Sequence, residues 1–168
     1  MSKLEAVING SRKQGMLDYL NDNPHEIDNL IKLALEPKGQ NNRRATWLLP
    51  NFMSKNDERI IPFLDSFIER LADADESQQR DTITLLLKME FNEDQEGILL
   101  DTAINIWTKI DKIPSVRYRA FELILKIAKN YPELSDEIKL LSEEHYMESL
   151  SPGIQNSLRK KIGLFLVN

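Results

Sequence analysis

Apolar residues recur along this chain at three- and four-residue steps, in blocks separated by proline, glycine or an Asx/hydroxyl cluster. The most complete block is Asp111 to Pro132, DKIPSVRYRAFELILKIAKNYP. Pro114 suits a first helical position, where its missing N–H costs nothing and its fixed φ is already helical. Val116, Ala120, Leu123, Ile124 and Ile127 then share one stripe, which predicts a buried face, with Arg117, Glu122, Lys126 and Lys129 towards water. Asn130 and Pro132 stop the helix.

Three further segments carry the same pattern: RRATWLLPNF from Arg43, QRDTITLLLKM from Gln79 and SLRKKIGLFLV from Ser157. Anchored on Arg44, Arg80, Arg119 and Arg159, they are spaced by 36, 39 and 40 residues. Such a period, with two helices in each, signals stacked helical hairpins. The approximate repeats are 2–22, 23–53, 56–91, 92–131 and 132–167, the first abbreviated.

The stretch Arg59 to Met89 resembles a whole HEAT repeat. Ile60, Ile61, Pro62, Phe63 and Leu64 are similar to its apolar-Pro-apolar first helix, Asp73 and Asp75 stand in the short turn, and Arg80 opens the second helix. The next unit resembles the second-helix signature more closely, with Asp111 in the turn, then Val116-Arg117, then Ala120. Thr82 stands where the small alanine would be, and near Ile154-Gln155 the arginine is displaced or absent. The resemblance, to HEAT or armadillo repeats over nearly the whole chain, implies an all-α, right-handed α-α superhelix (solenoid) of about five hairpins. It also implies an Asp–Arg ladder in which Asp73, Asp75 and Asp111 pair with arginines of their own or adjacent repeats.

The rest of the chain fits helices throughout. Ser2-Lys3-Leu4-Glu5 and Ser11-Arg12-Lys13-Gln14 match the capping box, so two short helices flank Gly10. Asn23-Pro24 starts a helix burying Ile27, Leu30, Ile31 and Leu35, which Pro37-Lys38-Gly39 breaks. Trp47, Leu48 and Phe52 face the core of the next, and Pro50 should kink or shorten its last turn. Asn92 caps a helix in which Ile98, Leu99, Thr102, Ile106 and Ile110 share a face flanked by Trp107. Leu134, Ile138, Leu141 and Met147 are the core of the next first helix, and Leu158, Ile162, Phe165 and Leu166 that of the last second helix. Nine or ten helices are expected and no strand, since β-branched residues nowhere alternate with polar ones.

At 168 residues and 41% apolar content the chain is long enough for one domain with its own core. Cysteine is absent, which excludes disulfides and thiolate metal sites and suits a reducing compartment. No apolar run approaches the ~18 residues that span a bilayer, and the first residues are charged and amphipathic, so a soluble cytoplasmic protein is expected. A net charge of −5 and a pI near 5.2 argue against indiscriminate nucleic-acid binding.

Charge is sorted between the helices of each pair. Arg12, Lys13, Arg43, Arg44, Arg80, Arg117, Arg119, Arg159, Lys160 and Lys161 lie near the starts of second helices, ten of the 22 basic residues. First helices and their flanks hold much of the acid, among it Asp57, Asp65, Glu93, Asp94, Asp136 and Glu144. Stacked, this gives a basic ridge on one face and an acidic one on the other. Cations in a first turn oppose the helix dipole by roughly 0.3–1 kcal/mol each, so something should compensate them. The ladder is one compensation. A groove for an acidic peptide or a phosphate backbone is the other, and the two are compatible.

The candidate binding set is Arg43, Arg44, Arg80, Arg117, Tyr118, Arg119, Arg159 and Lys160. Of the aromatics near the ridge, Trp47 and Trp107 belong to the core and Tyr118, between two arginines, is the exposed one. His145 and Glu148 stand one turn apart, but no second histidine is near, and His25 reads as a surface residue. Neither a Gly-rich phosphate loop nor a nucleophile elbow appears, so neither metal, cofactor nor catalytic set is expected. The function predicted is a non-enzymatic interaction module for a protein or acidic peptide. The rival is a nucleic-acid-binding or repair protein of the kind of the HEAT-like glycosylases for alkylated bases, which rests on fold likeness alone. Leu164 and Val167 fall off the expected core stripe of an apolar terminal segment, where a capping repeat would be polar, which points to self-association or docking there.

Overall fold

The computed structural model describes all 168 residues, and eleven α-helices account for most of them. They are α1 (Lys3–Gly10), α2 (Lys13–Asp22), α3 (Ile27–Ala34), α4 (Gln40–Phe52), α5 (Leu64–Leu71), α6 (Glu76–Leu86), α7 (Glu93–Thr108), α8 (Pro114–Ala128), α9 (Ser135–Leu141), α10 (Glu144–Met147) and α11 (Pro152–Leu166). No strand is present. Helices pair as α3/α4, α5/α6 and α7/α8, and the stack propagates through the second helices, α4 on α6, α6 on α8, and α11 on α8, with α5 against α7 in the other layer. This is an α-α solenoid.

Local chemistry sets the boundaries. Single-turn 3₁₀ segments at Pro24–Glu26, Ile61–Phe63 and Pro132–Leu134 lead into α3, α5 and α9, each with proline in its first two positions. Two capping boxes form, Ser2 with Glu5 and Asn92 with Gln95. The one expected at Ser11 and Gln14 does not: α2 begins one residue late, Arg12 occupies the cap without a side-chain bond, and Gln14 donates to Asp18 instead. The Ser11 carbonyl is taken by Arg44 Nη2 at 2.8 Å. Gly39, at φ +148°, adopts a backbone closed to other residues where the chain enters α4.

Forty buried apolar residues form one continuous cluster. The α8 stripe of Val116, Ala120, Leu123, Ile124 and Ile127 is buried as predicted, but Arg117, Phe121, Leu125 and Ala128 are buried as well. α8 touches α6, α7 and α11, so a helix in the middle of the stack is covered on more than one face. In α7 the buried set is Leu99, Ala103, Ile106 and Trp107, while Ile98 and Ile110 are about half exposed. Leu99 and Ile106 lie inside as expected, but the buried face is shifted towards Ala103 and towards Trp107, whose Nε1 donates to the Leu141 carbonyl at 2.8 Å. Trp47 and Phe52 are only partly buried, and Leu166, expected inside, is exposed.

Arg117 is the largest departure. Its guanidinium is fully buried without a carboxylate. Nε donates to the Trp107 carbonyl (2.9 Å), Nη1 to Ser149 Oγ (2.9 Å) and Nη2 to the Tyr146 carbonyl (2.6 Å), and the group lies 4.5 Å from the Trp107 ring centroid. Trp107 in turn meets Phe121 edge-on at 4.6 Å. One side chain therefore joins α8, the end of α7 and the segment around α10.

Neighbouring repeats are also tied through helix ends. Lys88 Nζ, just past α6, donates to the carbonyls of Pro50 and Met53 at 2.6 and 2.9 Å, which caps α4 where Pro50 disturbs its last turn. Arg70 Nη2 donates to the Glu36 carbonyl at 2.6 Å, and Lys112 Nζ reaches Gln79 Oε1 at 3.1 Å. Asp57 accepts from Ser54 N, Arg59 N and the Arg59 guanidinium, and these bonds hold its carboxyl well below the usual carboxylate range. The buried Glu96 accepts from Asn130 Nδ2 and from the Tyr131 hydroxyl, so the end of α8 is fastened to the start of α7.

Two measurements check this account. Arg117→Ala strands the Trp107 and Tyr146 carbonyls and leaves a void, so urea unfolding should show a loss of about 3 kcal/mol, against under about 1 kcal/mol for Arg119→Ala on the surface. The hydrogen bond to Glu96, with desolvation next, pushes the Tyr131 phenol up to about 12. A raised pKa favours the protonated phenol in the fold, so its contribution to stability is whole below the unfolded value near 10 and disappears as pH rises through about 12. In an ultraviolet titration, the difference between parent and Tyr131→Phe should therefore show one phenol still protonated at about pH 11.

Candidate functional site

The arginines nominated from sequence do not form one unbroken ridge. Arg43 is exposed and makes an ion pair with Asp75 at 2.9 Å across the repeat boundary, the one rung of the expected ladder that forms. Asp75 also caps α6 by accepting from Gln78 N. Asp73 and Asp111 make no ion pair, because Arg80 and Arg119 pair locally instead, Arg80 with Asp81 at 2.9 Å and Arg119 with Glu122 at 2.7 Å. The Asp81 bond raises the Arg80 pKa, as expected for a cation gaining a partner.

Arg44 is half-buried, and besides the Ser11 carbonyl its Nη2 meets Met16 Sδ at 3.7 Å. Lys13 lies over the Trp47 ring, 5.2 Å from its centroid, so the start of α2 is fastened to α4, against which α1 also packs. Arg159 reaches back to Glu144 at 2.9 Å. Lys160 is exposed and makes no ion pair. Arg117 drops out of any binding surface: its donors are spent inside the protein, and burial pushes its pKa down.

Three nominated residues do converge. Arg80 from α6 and Tyr118 and Arg119 from α8 line a cavity of about 330 Å³, closed on its far side by Ile154 and Ser157 of α11. Tyr118 is half-buried, not exposed as predicted, since its hydroxyl bonds Ser157 Oγ at 2.9 Å. Arg119 and Lys161 flank its ring at 5.8 and 5.4 Å from the centroid. Lys161 also binds Glu122, whose carboxylate it shares with Arg119, and that hydrogen bond pushes the Lys161 amino group up.

Beyond the Glu122–Lys161 bridge, the same two helices bound a larger groove of about 1050 Å³, lined by Leu125, Lys126 and Lys129 of α8 and by Leu164 and Phe165 of α11. None of these was nominated as a binding residue, except that Leu164 stood out as off the core stripe. The signal was present as the run 118-122-125-126-129, one face of α8 at helical spacing. A separate cavity of about 290 Å³ between the α3/α4 and α5/α6 hairpins is lined by Glu69, Arg70 and Asp73, so it does not continue the basic wall. His145 is exposed beside Glu143 and against Tyr146, and no group of three or more His, Asp or Glu side chains is placed to share an ion.

The family model for a HEAT repeat domain matches residues 1–163. The chain belongs to the HEAT repeat domain family. No curated protein and no solved structure matches it. HEAT repeat domains generally mediate protein interactions and are typically non-enzymatic. No helix of this HEAT repeat domain is long and apolar enough to cross a membrane.

The pairing pattern has a direct consequence for the wall. Arg119 and Lys161 are each more than one-third exposed while Glu122 is mostly covered, so these are half-exposed ion pairs, and solvent at the cations limits each to about 1 kcal/mol. Glu122→Gln should lower the unfolding free energy from urea titration by about 1–2 kcal/mol while removing a negative charge from the wall and releasing both cations. Heteronuclear NMR of the lysine amino groups should then show Lys161 titrating lower than in the parent.

Proposed function

We propose that this HEAT repeat domain is a docking module that holds an acidic protein segment against the wall formed by its second helices. The observation that carries the reading is the convergence of Arg80, Tyr118 and Arg119, from two successive repeats, on one cavity. A rigid stack supplies these groups without further ordering, which reduces the entropy cost of binding. The phenol offers a flat apolar contact, and the two guanidiniums offer forked donors suited to carboxylates.

Each of these cations already has a carboxylate, and that does not exclude the role. Exposed pairs exchange partners at a cost of about 1 kcal/mol or less, so an incoming carboxylate can replace Asp81 or Glu122. Arg43 and Arg44 lie further along the wall, and Arg159 and Lys160 at its end extend the contact for a longer partner. Arg117 contributes by holding α8 in place.

The wall should therefore prefer an acidic peptide over DNA, in a chain of net charge −5. Fluorescence anisotropy with a labelled Glu/Asp-rich peptide and with a labelled duplex, each at about 50 and about 200 mM salt, tests this. Saturable peptide binding that weakens with salt, and about tenfold further in the Arg80→Ala/Arg119→Ala double variant, is expected. Saturable duplex binding tighter than peptide binding would replace the reading with a nucleic-acid one.

A further inference from the structure

The larger groove between α8 and α11 has a composition that the cavity at Arg80 lacks. Its floor is apolar: Leu125 of α8, Leu87 at the end of α6, and Leu164 and Phe165 of α11. Its rim is cationic: Lys55, Lys126, Lys129 and Lys161. The carboxylate there, Glu122, is already shared between Arg119 and Lys161, Lys126 meets Glu90 only at 3.8 Å, and Lys55 and Lys129 make no ion pair. In a chain with an excess of acid, this is a local reversal of charge around an uncovered apolar strip.

We infer that this groove receives an acidic amphipathic helix of a partner protein, seated with its apolar stripe on Leu125, Leu164 and Phe165 and its carboxylates on the lysine rim. The inference rests on the acidic-partner reading above but adds a second requirement, an apolar stripe, at the other end of the wall. The dimensions fit a helix. Glu122 to Lys129 is seven residues along α8, about 10 Å at 1.5 Å per residue, which matches about two turns carrying anchors at i, i+3 or i+4, and i+7.

A second copy of the chain is the poorer occupant. Its exposed large apolar residues outside α11 are Met1, Ile61, Ile98, Ile110, Ile113 and Leu140, and no helix presents two of them at i, i+3 or i+4 spacing. Only the end of α11 offers such a pair, Leu164 with Val167 just past its last residue, 56% and 80% exposed, and Leu164 itself lines the basic groove. The occupant's acid must come from elsewhere. On this reading the contact at Leu164 is heterologous, in place of the self-association expected at Leu164 and Val167.

The test uses the full chain and three labelled peptides of about 14 residues: one with leucines on a single helical face and glutamates flanking them, a scramble of the same composition, and a Glu/Ala peptide without leucine. Anisotropy should show the striped peptide binding at least about tenfold tighter than the other two. Leu164→Glu and Lys129→Glu, both at exposed positions, should each weaken it about tenfold, and Arg80→Ala/Arg119→Ala should weaken it less than either does. Equal binding of all three peptides would overturn the groove while leaving the acidic-partner reading intact, and so would loss of striped-peptide binding in the arginine double variant alone. Absence of binding by any of the three would remove both. Sedimentation velocity of the unliganded chain provides a separate check: a dimer that Leu164→Glu dissolves would assign the groove to a second copy and overturn the inference.

Discussion

A guanidinium buried without a counter-charge is expensive unless its nitrogens find acceptors, and all three of Arg117 do, in two carbonyls and a hydroxyl, while the group lies over the Trp107 ring. Its partners come from two places: the last turn of α7 supplies one carbonyl, and the turns around α10 supply the other carbonyl and the hydroxyl. Trp107 adds the return link by donating to Leu141. The position of α8 relative to the last repeat is therefore set by directional bonds and not only by apolar burial. Since α8 carries Tyr118, Arg119, Glu122, Leu125 and Lys126 on its other side, the geometry of the wall follows from a contact on the opposite face of the same helix.

The last repeat differs from those before it in a way that shapes the groove. Its first-helix layer is divided into two short pieces, α9 and α10, and the outer side of its second helix, α11, is uncovered. In α6 the side chains beyond the core stripe meet α8; in α11 the equivalent residues are Leu164, Phe165 and Val167, which meet solvent in part or in full. In a solenoid such faces are covered by packing against another helix. Polar residues at these positions would suit solvent. Apolar residues beside a lysine rim instead leave surface whose burial by another helix is worth roughly 25 cal/mol per Å².

Much of the fold was legible because helical periodicity and capping chemistry are local. The α8 stripe, the box at Asn92-Gln95 and the proline-led starts at Pro24, Pro62 and Pro132 all follow from residues within a turn or two of one another. What failed was non-local. A single-stripe rule treats a helix as having one buried face, whereas α8 is sandwiched by α6, α7 and α11, so Phe121 and Leu125 are inside as well, and Arg117 with them. The misplaced edge of the α7 face has the same origin: Ile98 and Ile110 match a helical stripe as well as Ala103 and Trp107 do, and the bond from Trp107 to the Leu141 carbonyl, 34 residues on, lies outside any local pattern. The Ser11 box failed for a nearer reason: the Ser11 N–H, which Gln14 would have had to reach, closes α1 by donating to the Val7 carbonyl. Charge sorting along the chain placed Arg43, Arg44, Arg80, Arg117 and Arg119 in the first halves of second helices, but Arg159, Lys160 and Lys161 fall in the middle of α11, and the pattern carried no information about which cations would find an acid nearby.

That last point separates two uses of one residue type. Arg117 and Arg119 are two positions apart in the same first turns of α8, and their surroundings send them to different tasks. Arg117 faces the repeat interior, where its removal leaves buried carbonyls unmade, so its role is fixed by the cost of losing it. Arg119 faces the wall, where its bond to Glu122 is solvated and exchangeable, so it keeps the freedom to meet an incoming anion. A ladder of buried pairs would have used up the ridge. The same sequence signal instead yields one interior guanidinium that locks the stack and several half-exposed cations that remain free to change partners. Burial, not position in the repeat, is what divides the structural cation from those that the proposed docking would use.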